Sequence, residues 1–389
     1  MTAIETDIVL AAAETPLQLM NLMALLLDEE SQFFGKKVNL AIYKGFPISE
    51  ELLEGIKSTE LFNLITVIEP YYRQYQQYKA AAVSLRRAVD ASGHWKKFGK
   101  YLTSIPVEHY SCLIGGVATV FLMDLKQRFV PDGETYFYEE GEGSYLGNFV
   151  KSAASNDRDV LVSSKSMGRR VLGSALSMLS HGTLSYSAHA LYLYRPELVE
   201  GGIYRSSIEL RRISAINKSK AKIISSAFNF NDSQSSEIRW AFLGNPDTDL
   251  SKDDQKRVRD QLVAVGNTCQ RILYRPHPRS AVQASEGLPD SIYTDKSLPM
   301  WEIACADGLI TEDSVLFGYG STAQTNPKKM FDLEPYVVSL HKLISRNINT
   351  QYAEIAMANL KRIYSCPEKV IAPNNMNELL GVIEELPFR

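Results

Sequence analysis

Residues 7–13 form a largely apolar run of strand length, closed by Glu14-Thr15-Pro16 and followed by helix-like sequence over about 17–30. That order predicts a strand, a tight turn and a helix, with Thr15 as N-cap and Pro16 at the first helical position. Apolar runs at 38–43 and 64–68 predict two more strands, with a helix over 49–58 between them. The alternation continues with a strand at 110–115, a helix at 118–128 and a strand at 135–139. It starts afresh after 237, with strands at 238–243, 271–274, 314–317 and 336–340 and helices at 252–265, 300–306, from about 321 to 330, and at 375–385. Strands alternating with helices predict an α/β chain of parallel, doubly wound sheets, whose ligands bind beyond the carboxyl ends of the strands. Residues 71–102 read as helical and rich in tyrosine and basic side chains. Residues 150–236 lack clear periodicity, and the polar stretch 229–237 reads as a linker.

At 389 residues the chain exceeds what one core normally carries. Two domains are expected, 1–236 and 237–389, with the last helix able to pack back on the first. A net charge of −3 offers no global attraction for nucleic acid, which is not expected as a partner. Cys112, Cys269, Cys305 and Cys366 lie far apart and show no metal-ligand spacing, so reduced thiols and no metal are expected. The acidic start lacks the basic region of a signal peptide, and the apolar run 17–27 is too short to span a bilayer. A cytoplasmic protein is expected.

The candidate chemistry clusters at strand and helix ends. In Leu273-Tyr274-Arg275-Pro276-His277-Pro278-Arg279 two prolines stiffen a turn after a strand and present one imidazole with guanidinium groups on either side. Such a group can hand a proton to a phosphate-bearing leaving group, although a lone His-Pro is more often an ordinary turn histidine. In Glu139-Glu140-Gly141-Glu142-Gly143, mutual repulsion between adjacent carboxylates can raise one pKa and give a general base; a plain acidic turn uses the same residues. Gly244-Asn245-Pro246-Asp247 exposes another carboxylate at a strand end, and Glu302 lies on a short helix. Gly318-Tyr319-Gly320-Ser321-Thr322-Ala323 opens a helix whose first N–H groups and hydroxyls suit a phosphate, or simply cap the helix. Thr15 and Gln18 fall at the end of the first strand. The GxxxxGK[ST], GxSxG and GxGxxG motifs are all missing, which removes the usual support for kinase, hydrolase and dehydrogenase readings. Basic clusters stand at Arg169-Arg170, Arg211-Arg212 and Lys218, Lys220 and Lys222.

In their order, Glu-Glu-Gly, Leu-Gly-Asn-Pro-Asp, Arg-Pro-His-Pro-Arg and Gly-Ser-Thr-Ala resemble the bacterial sialyltransferases, closest to glycosyltransferase family 52, the lipooligosaccharide α-2,3-sialyltransferase group. The acidic-acidic-glycine, His-Pro and Ser/Thr motifs are also those of bacterial polysialyltransferases. The resemblance implies a GT-B fold, two Rossmann-like domains with parallel sheets facing a central cleft. It also implies metal-independent, inverting transfer of sialic acid from CMP-sialic acid to a galactose-type hydroxyl of a bacterial surface oligosaccharide, in lipooligosaccharide or capsule biosynthesis, with no cofactor. Carried over residue by residue, His277 would be the general acid at the departing phosphate. Asp247 would be the base on the acceptor hydroxyl, or Glu140 in its place; the two rank nearly equal. Glu302, Ser321 and Thr322 would bind the nucleotide, and Gly244, Asn245, Pro278 and Arg279 would line its pocket. Thr15 and Gln18 would lie on the donor-sugar side, with Glu139 and Gly141 beside them. Family 52 usually has aspartates where this chain has Glu139 and Glu140, whose carboxylates reach about one methylene further.

Three alternatives stay open: another CMP-nonulosonate donor, a nucleotide hexose, and an inert nucleotide-sugar-binding assembly protein. Asp247-Thr248-Asp249 has the spelling of a metal-binding DxD and is read instead as carrying the base. Peripheral association at the inner face of the membrane through a basic face, and a homodimer paired through residues 71–102, are compatible with the sequence.

Overall fold

The computed structural model describes residues 8–69, 102, 104–105, 110–116, 120–130, 132–146, 188–201, 204, 208–228, 237–244, 250–269, 271–277, 287–295, 300–346 and 348–386. The chain divides into two compact units, Met1–Ser214 and Ala215–Arg389.

The first unit holds β1 (Ile8–Ala13), α1 (Pro16–Leu26), β2 (Lys37–Tyr43), α2 (Glu50–Ser58), β3 (Leu64–Ile68), β4 (Tyr110–Gly115), α3 (Val120–Phe129), β5 (Glu134–Tyr138), β6 (Ala188–Leu193) and β7 (Glu209–Arg212). The seven strands among its described residues are all parallel, in the order β3-β2-β1-β4-β5-β6-β7. Every residue of β1 is buried, as a central strand covered on both faces requires. The order reverses between β1 and β4, which opens a crevice at the carboxyl ends of those two strands.

The second unit holds α4 (Lys218–Ala227), β8 (Trp240–Leu243), α5 (Lys252–Thr268), β9 (Ile272–Arg275), β10 (Ile292–Tyr293), α6 (Trp301–Ala306), β11 (Val315–Gly318), α7 (Thr322–Phe331), β12 (Tyr336–Ser339), α8 (Ile348–Ile363), β13 (Val370–Ile371) and α9 (Met376–Glu385). Among its described residues six parallel strands run β10-β9-β8-β11-β12-β13, with the reversal between β8 and β11. The alternation along β8 sorts its side chains: Trp240 and Phe242 stack on Phe317 at 6.1 and 6.4 Å on one face. Ala241 and Leu243 meet Leu273, Trp301 and Leu316 on the other.

Several features depart from the sequence reading. The units divide at 214/215, whereas the sequence suggested 236/237, because α4 packs on α6 of the second unit. The stretch 150–236 contains β6, β7 and α4. The helix α8 was not foreseen. The closing helix α9 packs on α5 of its own unit, through the cluster that holds Leu379 and Ile383. The helix expected over 71–102, with its tyrosines and basic residues, lies outside the described residues apart from Leu102.

Candidate active site

The β1–α1 turn is built by its own side chains. Thr15 takes extended backbone at the N-cap, and its Oγ1 accepts the Gln18 N–H at 3.2 Å. Gln18, the third helical residue, reaches back so that its Oε1 accepts the Glu14 N–H at 2.6 Å. This is a capping box displaced by one residue, and it satisfies a donor that the helix leaves orphaned. The other end of the same amide crosses to β5: Gln18 Nε2 donates to Glu140 Oε1 at 2.7 Å. Gly116, just past β4, makes room for it. A Cβ there would stand 2.8 Å from both Cγ and Cδ of Gln18.

The two adjacent glutamates have different surroundings. Glu139 continues the ladder to β6 through its N–H and Tyr192 O at 2.9 Å, and it is only 1 % exposed. Its Oε2 accepts from the Tyr145 hydroxyl and from the Tyr194 N–H at 3.0 Å. Its carbonyl accepts Asn21 Nδ2 at 2.7 Å, and Asn21 Oδ1 in turn accepts the Tyr194 hydroxyl. Glu139 is therefore an anchor that ties α1, β5 and β6 together.

Glu140 has its N–H donating to Ser144 Oγ at 3.0 Å, while one carboxylate oxygen takes the Gln18 amide. Its Oε2 is buried and has no hydrogen-bond partner among the described residues. Burial pushes the Glu140 carboxyl up to about 7, against the opposing pull of the Gln18 bond. A carboxyl that exchanges its proton near neutrality, with one oxygen held and one unpartnered among the described residues, is suited to take a proton from a hydroxyl. Gly141 follows at φ +121°, a conformation open to glycine, and turns the chain sharply after it.

In the second unit the ends of β8 and β9 come together. The Gly244 N–H donates to Arg275 O at 2.9 Å. A Cβ at Gly244 would stand 3.3 Å from His277 N, Pro276 Cα and the Tyr274 hydroxyl, so glycine permits this approach. His277 is half-buried at the β9 end. Glu302 is 6 % exposed, and its Oε1 accepts Asn326 Nδ2 at 2.8 Å. Burial raises its carboxyl, opposed by the Asn326 bond and the Arg275 charge; burial lowers Arg275, opposed by Glu302.

The turn before α7 repeats the device of the first unit with one difference. Gln324 reaches back, its Oε1 accepting the Gly320 N–H at 2.7 Å, and a Cβ on Gly318 would stand 2.8 Å from its Cδ. Its Nε2 donates to the Leu316 and Val338 carbonyls at 3.0 and 3.3 Å. Ser321 occupies the N-cap, yet its hydroxyl makes no capping bond and is buried without a partner among the described residues. It lies buried at the helix start, beside the first N–H groups of α7, of which Thr322 is the first residue.

The structure thus gathers Thr15, Gln18, Glu139, Glu140 and Gly141 at one strand edge of the first unit. In the second it places Gly244 beside His277, Glu302 beside Asn326, and Ser321 and Thr322 at the α7 start. Asn245, Asp247, Pro278 and Arg279 lie outside the described residues, as does Arg169-Arg170. Sequence reasoning missed Gly116, Asn21, Tyr145, Tyr194 and Gln324. The matched spellings Thr15-Pro16-Leu17-Gln18 and Ser321-Thr322-Ala323-Gln324 were the signal that could have found the last. The basic pair Arg211-Arg212 is engaged inside its own unit, by Gln32, Tyr192 and Glu209 and by Glu197 and the Tyr194 carbonyl. Among the described residues no group of three or more His, Cys, Asp or Glu is placed to hold a metal ion, and no helix is long and apolar enough to cross a membrane.

Two parallel-sheet units of this kind define the GT-B fold, and the structural comparisons agree. The chain is similar to the calicheamicin glycosyltransferase CalG4, with a TM-score of 0.52 and 8 % identity over 99 % of this chain and 91 % of that one. It is similar to the glycosyltransferase of kitacinnamycin, with a TM-score of 0.53 and 10 % identity over 98 % and 90 % of the two chains. A sialyltransferase from Photobacterium damselae, represented by its GT-B domain, gives a TM-score of 0.49 and 13 % identity over 94 % and 99 %. At these identities the likeness is one of fold. No protein-family model and no curated protein sequence matches the chain.

Proposed function

We propose that the chain is a metal-independent, inverting sialyltransferase that moves sialic acid from CMP-sialic acid to a galactose-type hydroxyl of a bacterial surface glycan. One observation carries the reading: Glu140, in the acidic-acidic-glycine motif, has one oxygen held by Gln18, the other buried without a partner among the described residues, and a carboxyl raised by burial to about 7. The order of motifs from Glu139-Glu140-Gly141 to Ser321-Thr322 supports a CMP-sugar donor, and the GT-B fold supports a nucleotide-sugar donor more broadly.

In the proposed step the acceptor oxygen attacks the anomeric carbon of sialic acid as the bond from that carbon to the CMP phosphate oxygen breaks. The hydroxyl proton passes to Glu140 Oε2. The bonding pair leaves with the phosphate, to which His277 donates a proton or hydrogen bond. The Ser321 hydroxyl and the N–H groups opening α7 receive the phosphate oxygens, where the helix dipole favours negative charge. CMP carries a single phosphate, which these groups suit without a divalent ion. Asp247 is the competing base, and parallel Glu140→Gln and Asp247→Asn variants separate the two: the base is the one whose loss removes transfer while nucleotide binding is kept.

Titration calorimetry with CMP and UDP tests the donor class. CMP is expected to bind at least about tenfold more tightly than UDP, a difference of about 1.4 kcal/mol, with His277→Ala largely keeping the CMP affinity. Tighter binding of UDP would overturn the CMP-sugar reading in favour of a nucleotide hexose.

A further inference from the structure

We propose that Gln18 is a positioning residue for Glu140: its amide, locked by the Glu14 N–H and given room by Gly116, selects Oε2 as the oxygen that receives the acceptor's proton. The inference rests on the reading of Glu140 as the base, and it gives Gln18 a different part from that of a sugar contact.

The lock follows from the chemistry of the groups. A backbone N–H can only donate, so the Gln18 atom 2.6 Å from Glu14 N must be Oε1. The side-chain amide cannot then flip without losing that bond, and its NH2 end is committed to Glu140 Oε1 at 2.7 Å. Gln18 is 2 % exposed, so water is a poor substitute for either partner. The helix start is itself fixed, since Thr15 Oγ1 accepts the Gln18 N–H. Gly116 closes the argument: any side chain there would meet Gln18 Cγ and Cδ at 2.8 Å and displace the amide.

One carboxylate oxygen therefore carries a hydrogen bond and is the weaker proton acceptor. The other, buried and without a partner among the described residues, is the stronger. The titratable and charged groups on the elements that meet here are Glu14 on the β1–α1 turn, Tyr138 on β5, Glu139, Glu142 and Tyr145 after it, and Arg195 after β6. Of these, Glu139 and Tyr145 bind each other and Tyr138 donates to the Ala12 carbonyl at 2.7 Å. The Gln18 amide is the one hydrogen bond to the Glu140 carboxylate among the described residues.

Gln18→Met keeps the length of the side chain and removes the amide; Gly116→Ala keeps the amide and pushes it aside. Both are expected to raise the acid limb of the kcat/KM pH profile by about one unit, the size of one lost hydrogen bond to a carboxylate. The same rise is expected in the Glu140 titration followed without substrate by isotope-edited infrared difference spectroscopy, with Glu140→Gln as the blank. A titration that moves in both variants supports the proposal even if CMP-sialic acid proves to be the wrong donor. An unmoved titration, with activity lost only through KM, overturns it and returns Gln18 to the role of a sugar contact while leaving the sialyltransferase reading intact. If Gln18→Met does not fold, Gly116→Ala decides alone by the same two readouts.

Discussion

Glu140 is held at the expense of stability, and the sign of its shift makes that measurable. A carboxyl whose folded-state pKa lies above its unfolded value contributes stability that is fully present below the unfolded value and lost as pH rises through the folded one. For Glu140 the window runs from 4.5 to about 7, and the loss above it is at most about 3 kcal/mol. Glu140→Gln is therefore expected to be more stable than the wild type near pH 8 and about equal near pH 4.5, as urea titrations at the two values would read. An equal difference at both pH values would contradict the assignment. The sequence marked the pair Glu139-Glu140 but could not divide the roles. What divides them is supplied mostly from far along the chain, by Tyr194 and Asn21 with the nearby Tyr145 on one side and Gln18 on the other.

At the scale of elements, two helix starts use one device and put it to different ends. At α1 the Thr15 hydroxyl caps the helix and the spare amide of Gln18 goes to a carboxylate. At α7 the Ser321 hydroxyl is spared and the amide of Gln324 goes to the backbone. The α7 turn also depends on Gly320, at φ +78°, where a Cβ would stand 2.4 Å from Ala353 Cβ on α8. Gly320→Ala is expected to cost roughly 2–4 kcal/mol from backbone strain and overpacking together, and to weaken nucleotide binding by shifting the α7 start. Gly308→Ala is the control. It shares the positive φ but has nothing within 4 Å of its Cβ, so its cost is expected near 1 kcal/mol. Denaturation midpoints of the two variants check this, and equal losses would count against the packing argument. The Gly-Ser-Thr turn was legible because glycine and hydroxyl residues punctuate helix starts. The helix behind it was overlooked, although the buried set Ala353, Ala356, Met357, Leu360 and Tyr364 has helical spacing. Its inward face uses two alanines, which signal a core weakly. β7 hid for a different reason: Glu209, Arg211 and Arg212 are polar or charged, as an edge strand can be.

For the whole molecule, the alternation of strand and helix was enough to foretell two parallel α/β units, because central strands such as β1 are apolar throughout and several of the helices, α1, α2 and α5 among them, start at side-chain caps. The position of the division was less legible. A polar linker at 229–237 drew the boundary there, whereas α4, lying before it in the chain, packs on α6 and belongs to the second unit. The GT-B fold admits many nucleotide-sugar chemistries, so function rests on the sites and motifs carried at the strand ends. The measurement that decides the account is CMP release from CMP-sialic acid by the purified protein in EDTA, with and without a galactose-terminated acceptor. Release is expected to depend on the acceptor, to persist in EDTA and to be lost in Glu140→Gln. Release that requires a divalent metal, or that survives in Glu140→Gln, would contradict it.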